Sequence, residues 1–104
     1  MEQIAFLMRL KPGHEGEYRR RHAEIWPELR AALTRAGVRD YSIFFDAPTL
    51  NLFAVLRLTP DSTRDELPSL PVMRRWWDFM ADLMEVDETN RPLERALTPV
   101  FHMD

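Results

Sequence analysis

The spacing of apolar residues changes from strand-like to helix-like and back along the chain, and that order of periods restricts the folds open to it. IAFLMRL (4–10) is a continuous apolar run closed by the turn signal KPGHEG, as a buried strand would be. From Glu15 the spacing becomes helical: Tyr18, His22, Ile25, Leu29, Ala32 and Ala36 recur at threes and fours on one face. Pro27 falls inside this run and removes a backbone donor, so the helix should kink or restart near Trp26. Gly37 suits the position just past the helix end. VRDYSIFFD (38–46) and LFAVLRL (52–58) are rich in β-branched and aromatic residues and read as antiparallel partners turned by DAPTLN. TPDSTRDELPSLP predicts a short helix within proline-rich loops, and VMRRWWDFMADLM (72–84) predicts a second amphipathic helix with Met73, Trp76, Met80 and Leu83 on one face. EVDETNRP is a polar loop, and LTPVFHM (97–103) is expected to form a short last strand. The order is β-α-β-β-α-β. It predicts an α+β, ferredoxin-like antiparallel sheet with its helices on one face.

The expected strands are apolar on both sides. Ile4, Phe6, Met8 and Leu10 alternate with Ala5 and Leu7 in the first. Tyr41, Ile43 and Phe45 alternate with Phe44 in the second, and Leu52, Ala54, Leu56 and Leu58 with Phe53 and Val55 in the third. Two helices cover only one face. A bare second face would be a large sticky patch, and a second copy of the chain is its simplest cover. The expected assembly is a homodimer packed sheet to sheet, resembling a barrel.

Composition closes off several function classes. The 104 residues suit one domain, 1–104, and 45% hydrophobic with 30% charged residues suits a globular chain. A net charge of -3 gives no general attraction to nucleic acid or anionic membrane. The absence of cysteine excludes disulfides, thiolate metal sites and thiol nucleophiles, and fits a cytoplasmic location. No basic leader opens the sequence, and no segment approaches the ~18 apolar residues of a membrane span.

Two polar rings interrupt the stripe of the first helix. Tyr18 and His22 are one turn apart, so their side chains lie one above the other. A core histidine satisfied by a backbone carbonyl is one reading; a cavity lined by both rings is the other. An imidazole can give or take a proton near neutrality. Tyr41 is an ordinary strand aromatic unless its hydroxyl enters the same cavity. Trp76 and Trp77 point ~100° apart on their helix, so Trp76 can pack in the core while Trp77 stands at its margin. Indole faces also pack well on the C–H faces of sugars, which makes a site wall the competing reading. The run Arg19–Arg20–Arg21 reads as a solvated helix face. His14 is expected at the surface, and His102 is ambiguous. The three histidines lack metal-ligand spacing, no glycine-rich phosphate loop is present, and no Ser-His-Asp pattern stands out, so neither metal nor other cofactor is expected.

The combination resembles the L-rhamnose mutarotase family. It is carried by EYRRRHAEIWPEL (17–29), YSIFFD (41–46) followed by LFA (52–54), and RWWDFM (75–80), and it extends along nearly the whole chain. The resemblance implies a ferredoxin-like domain that forms homodimers, with the proton donor at His22 and sugar contacts at Tyr18, Tyr41, Trp76 and Trp77. It departs from the family pattern in RDELPSLP (64–71) and DAPTLN, which could border the site and bear on the choice of sugar. The implied reaction interconverts the α and β anomers of L-rhamnopyranose by acid–base-assisted ring opening and closing. Two rival readings stand beside it: a cofactor-free or haem-type small monooxygenase on the same dimeric fold, and a sugar-binding module without catalysis.

Overall fold

A computed structural model describes all 104 residues, Met1–Asp104. Its elements are β1 (Glu2–Arg9), α1 (Glu15–Ala23), α2 (Pro27–Arg35), β2 (Val38–Asp46), β3 (Asn51–Leu58), α3 (Pro71–Met80) and β4 (Arg95–Ala96). A 3-10 segment, Arg64–Ser69, leads into α3, and a single 3-10 turn, Ala81–Leu83, follows it. The strands form one antiparallel sheet in the order β2-β3-β1-β4. This is the expected α+β, ferredoxin-like arrangement.

Pro27 splits the first expected helix in two. Trp26 is extended (φ -61°, ψ 130°) and Pro27 occupies the first turn of α2, where its missing N–H costs nothing. The second expected helix ends earlier than the pattern suggested, with α3 closing at Met80 and tightening into the 3-10 turn.

The last strand needs correction. It was expected over 97–103, but only Arg95 and Ala96 form it, opposite Leu7 and Phe6 of β1. The Leu97 amide still donates to Ala5 O at 2.9 Å, after which pairing stops. Pro99 has no amide hydrogen to continue a ladder, and Val100 and Phe101 stand exposed.

One sheet face carries the core. Phe6 and Met8 of β1 and Leu52, Ala54 and Leu56 of β3 meet Leu29 and Ala32 of α2 and Met73, Trp76 and Met80 of α3. On the other face Leu7, Phe53 and Phe44 lie in one row across β1, β3 and β2, with Ala5 and Val55 in the next. Phe44 is 64% exposed there.

The register of β2 against β3 shifts between Arg39 and Ser42. Asp40 and Tyr41 together oppose Leu56, and Asp40 adopts φ 49°. This bulge lets both Val38 and Tyr41 face inward although they are an odd number of residues apart. Without it, one of them would point to the opposite face.

Gly37 links α2 to β2 at φ 87°, and its carbonyl accepts from Thr59 N–H at 2.9 Å. A Cβ there would collide with Thr59 Oγ1 and lie 3.0 Å from Ser62 Cα. Gly37→Ala should therefore lower stability by more than ~1 kcal/mol, or several degrees in Tm. An unchanged thermal unfolding curve would show that this junction tolerates a side chain.

Candidate active site

α1 is almost entirely polar and buries only Tyr18. Its acidic residues Glu15 and Glu17 lie in the first turn and its basic residues in the last, which suits the helix dipole. Arg21 does most to attach it. Its side chain is only 12% exposed. The guanidinium donates to Glu17 Oε2 at 2.8 Å, to Phe79 O at 2.7 Å and to Asp82 Oδ1 at 2.9 Å, and lies 4.4 Å from the centre of the Phe79 ring. The reading of residues 19–21 as a solvated face is correct for Arg19 and Arg20 and wrong for Arg21. Arg20 and Arg21 beside Glu17 hold its carboxyl down at about 2.

With α1 held against the end of α3, its two rings come into place. Tyr18 and His22 stack with ring centres 4.3 Å apart and planes at 30°. His22 Nδ1 lies 3.0 Å from the backbone oxygen of Tyr18. A carbonyl only accepts, so Nδ1 carries the hydrogen and Nε2 is left with a free lone pair. The imidazole meets Trp76 edge-on at 5.4 Å, and Trp26 packs edge-on against the same indole at 5.1 Å. Trp76 is buried, whereas Trp77 is half-buried, with the guanidiniums of Arg74 and Arg91 at 5.3 and 5.4 Å from its ring centre.

Tyr18, His22, Tyr41, Trp76 and Trp77 all line one cavity of about 940 Å³ between the helices and the inner sheet face. That size is at the upper end of small-molecule clefts, ~300–1,000 Å³. Burial pushes the Tyr18 phenol up strongly, and the nearby Tyr41 adds to the effect. Tyr41 as a residue is 40% exposed, yet protein surrounds its hydroxyl, and this desolvation pushes it up to about 12. Burial moves His22 the other way, below its ordinary value, against the opposing effect of its bond to the Tyr18 carbonyl. The cavity thus holds two phenols kept protonated and one imidazole kept ready to lose its proton.

The L-rhamnose mutarotase family model matches residues 3–103. The chain belongs to the L-rhamnose mutarotase family. It is 56% identical over 104 residues to the L-rhamnose mutarotase of Paraburkholderia phytofirmans, covering 100% of this chain and 97% of that one. It is 56% identical over 103 residues to that of Jannaschia sp., covering 99% of each. The crystal structure of an L-rhamnose mutarotase from Formosa agariphila superposes with a TM-score of 0.93 at 40% identity, over 100% of both chains.

The five candidate residues from the sequence, Tyr18, His22, Tyr41, Trp76 and Trp77, all reach the cavity, and sequence reasoning missed several of their neighbours. Trp26 braces Trp76, and Arg64, Arg91 and Glu94 line the polar side. Trp26 lay within EYRRRHAEIWPEL, and Arg64 opens RDELPSLP, the segment expected to border the site, which does line the cavity; Arg91 and Glu94 were not singled out. His14 is half-buried at the start of α1, and His102 is exposed and paired with Asp104 at 2.9 Å, so neither enters the cavity. No three His, Asp or Glu side chains converge as metal ligands would.

Arg21→Met removes the hydrogen bonds that join α1 to the end of α3. Global stability should fall by about 1–3 kcal/mol. In hydrogen exchange, α1 amides should lose protection before those of α3 and the sheet. Equal protection in variant and wild type would show that the aromatic contacts alone hold α1.

Proposed function

We propose that this chain is a cytoplasmic L-rhamnose mutarotase working as a homodimer of one mutarotase-like domain per chain. The observation that carries the reading is the free Nε2 of His22 on a cavity wall shared with Tyr18, Tyr41, Trp76 and Trp77, in a member of the L-rhamnose mutarotase family. Mutarotation opens the pyranose: the ring oxygen gains a proton, the anomeric hydroxyl loses one, and the bond from C1 to the ring oxygen breaks. The aldehyde then turns and the ring recloses. Only protons move, so the chemistry itself asks for no metal or organic cofactor.

With Nε2 also protonated, His22 donates from Nε2 to the ring oxygen on opening while the anomeric hydroxyl gives its proton to water, and both protons return on closure. Its lowered pKa makes the imidazolium a stronger acid. Tyr18 and Tyr41 remain phenols and bind sugar hydroxyls without exchanging charge. Trp76 and Trp77 supply an apolar wall for ring C–H groups and for the methyl of a 6-deoxy sugar. The test is NMR saturation transfer between the α and β signals of L-rhamnose. The protein should speed this exchange. Binding without acceleration would favour the non-catalytic sugar module.

His22→Ala and His22→Gln should fold, bind L-rhamnose and lose ~10²–10⁴-fold in exchange rate. Near-normal exchange in both variants would remove His22 from the acid role. The pH profile carries a sign. The imidazolium fraction grows as pH falls through the His22 pKa, which lies below 6.5. With His22 as the acid, kcat rises from neutral pH toward that pKa. A profile that falls over the same range would assign His22 as the base at the anomeric hydroxyl.

The dimer reading is supported by the row Leu7–Phe53–Phe44 on the uncovered sheet face, in which both phenylalanines are exposed and Leu7 is half-buried. Two copies packed there would bury both patches. Light scattering should give a dimer at micromolar concentration, and Phe44→Asp should weaken it. A monomeric wild type would overturn this assembly.

A further inference from the structure

The proposed proton transfer leaves one charged pair in the cavity unused. Arg64 opens the 3-10 segment and Glu94 immediately precedes β4. Arg64 Nη2 lies 3.8 Å from Glu94 Oε1, and the side chains are 26% and 32% exposed. At that distance they attract one another without a direct hydrogen bond, which needs about 2.7–3.2 Å. Donors on the guanidinium and lone pairs on the carboxylate therefore stay available. Both residues line the same cavity as Tyr41. The guanidinium lies 5.2 Å from the ring centre of Phe6, which faces inward from β1 and is buried. The Tyr41 hydroxyl senses both charges, Arg64 lowering its pKa and Glu94 raising it.

We propose that Arg64 and Glu94, together with Tyr41, form a hydroxyl-binding subsite that orients the sugar and sets its stereochemical preference. This rests on the mutarotase reading above. A carboxylate accepts from one hydroxyl and a guanidinium donates to its neighbour, so the pair reads the relative positions of adjacent hydroxyls. An epimer that misplaces one leaves a charged group unpaired, and sites of that kind discriminate more strongly than apolar walls. The competing role is a purely structural tether between the 3-10 segment and β4.

The test compares L-rhamnose with L-fucose, another 6-deoxy sugar, inverted at C2 and C4. Affinity is followed by tryptophan fluorescence and exchange by saturation transfer. Glu94→Gln and Arg64→Met should each weaken L-rhamnose binding by about 10–100-fold, the loss expected for a hydrogen bond to a charged group. KM should rise more than kcat falls, and the kcat/KM ratio between the two sugars should narrow. Unchanged affinity and ratio in both folded variants would overturn the subsite. Should either variant fail to fold, Arg64→Lys and Glu94→Asp keep the charges. Wild-type affinity and selectivity in that pair would leave only a tether and overturn the proposal, whereas a narrowed selectivity in binding would support it. A wild-type protein that binds L-rhamnose selectively without speeding exchange sinks the mutarotase reading alone, because the binding comparison still reads the subsite. One that binds neither sugar overturns the subsite as well.

Discussion

The position of Tyr18 and His22 in the cavity depends on one arginine. α1 brings Tyr18 and His22 to the cavity, yet it buries a single side chain and has little apolar surface of its own to bind the core. Arg21 substitutes for that surface. It spans from Glu17 to Asp82 and the Phe79 carbonyl and lies over the Phe79 ring, so α1 is fastened to the end of the helix that carries Trp76 and Trp77. The arrangement also explains why the helix can be so polar. A guanidinium with carboxylate and carbonyl acceptors on several sides is satisfied at partial burial, where a lone charge would not be.

Two local departures from regular backbone complete the site. Pro27 ends α1 and starts α2 on a new course, leaving Trp26 between them to brace Trp76. The bulge at Asp40 and Tyr41 turns Tyr41 to the inner face while Val38 stays buried on that same face. Each departure costs regular hydrogen bonding at one point and places an aromatic side chain that an uninterrupted helix or strand would have aimed elsewhere.

What could be read from the sequence follows from how local its cause is. The period of Tyr18, His22, Ile25 and Leu29 and the chemistry of Pro27 act within a turn or two of chain, so the broken helix was legible. So were the alternating strands 38–46 and 52–58 and the five residues that meet at the cavity. β4 was not, because two residues carry no period and its place is set by β1, far away in sequence. Arg21 looked like one of three equivalent arginines because its partners Phe79 and Asp82 lie 58 and 61 residues on. The bulge left only a faint trace, an Asp that tolerates positive φ. Arg64 and Glu94 are brought together by the 3-10 segment and by the approach to β4, and nothing in either neighbourhood announces the other.

The cavity's burial acts in opposite senses on its two kinds of ring. Desolvation penalises whichever form is charged, so it raises the tyrosines and lowers the histidine. Tyr18 and Tyr41 are thereby confined to hydrogen bonding near neutral pH. His22, adjacent and stacked on Tyr18, is the one of the three that can pass a proton. In the proposed mechanism a single environment separates binding from proton transfer, and the separation needs no special partner for His22 beyond the Tyr18 carbonyl that fixes its tautomer. The helix supplies that carbonyl one turn back, so the spacing that stacks the two rings also leaves Nε2 free for a ligand in the cavity.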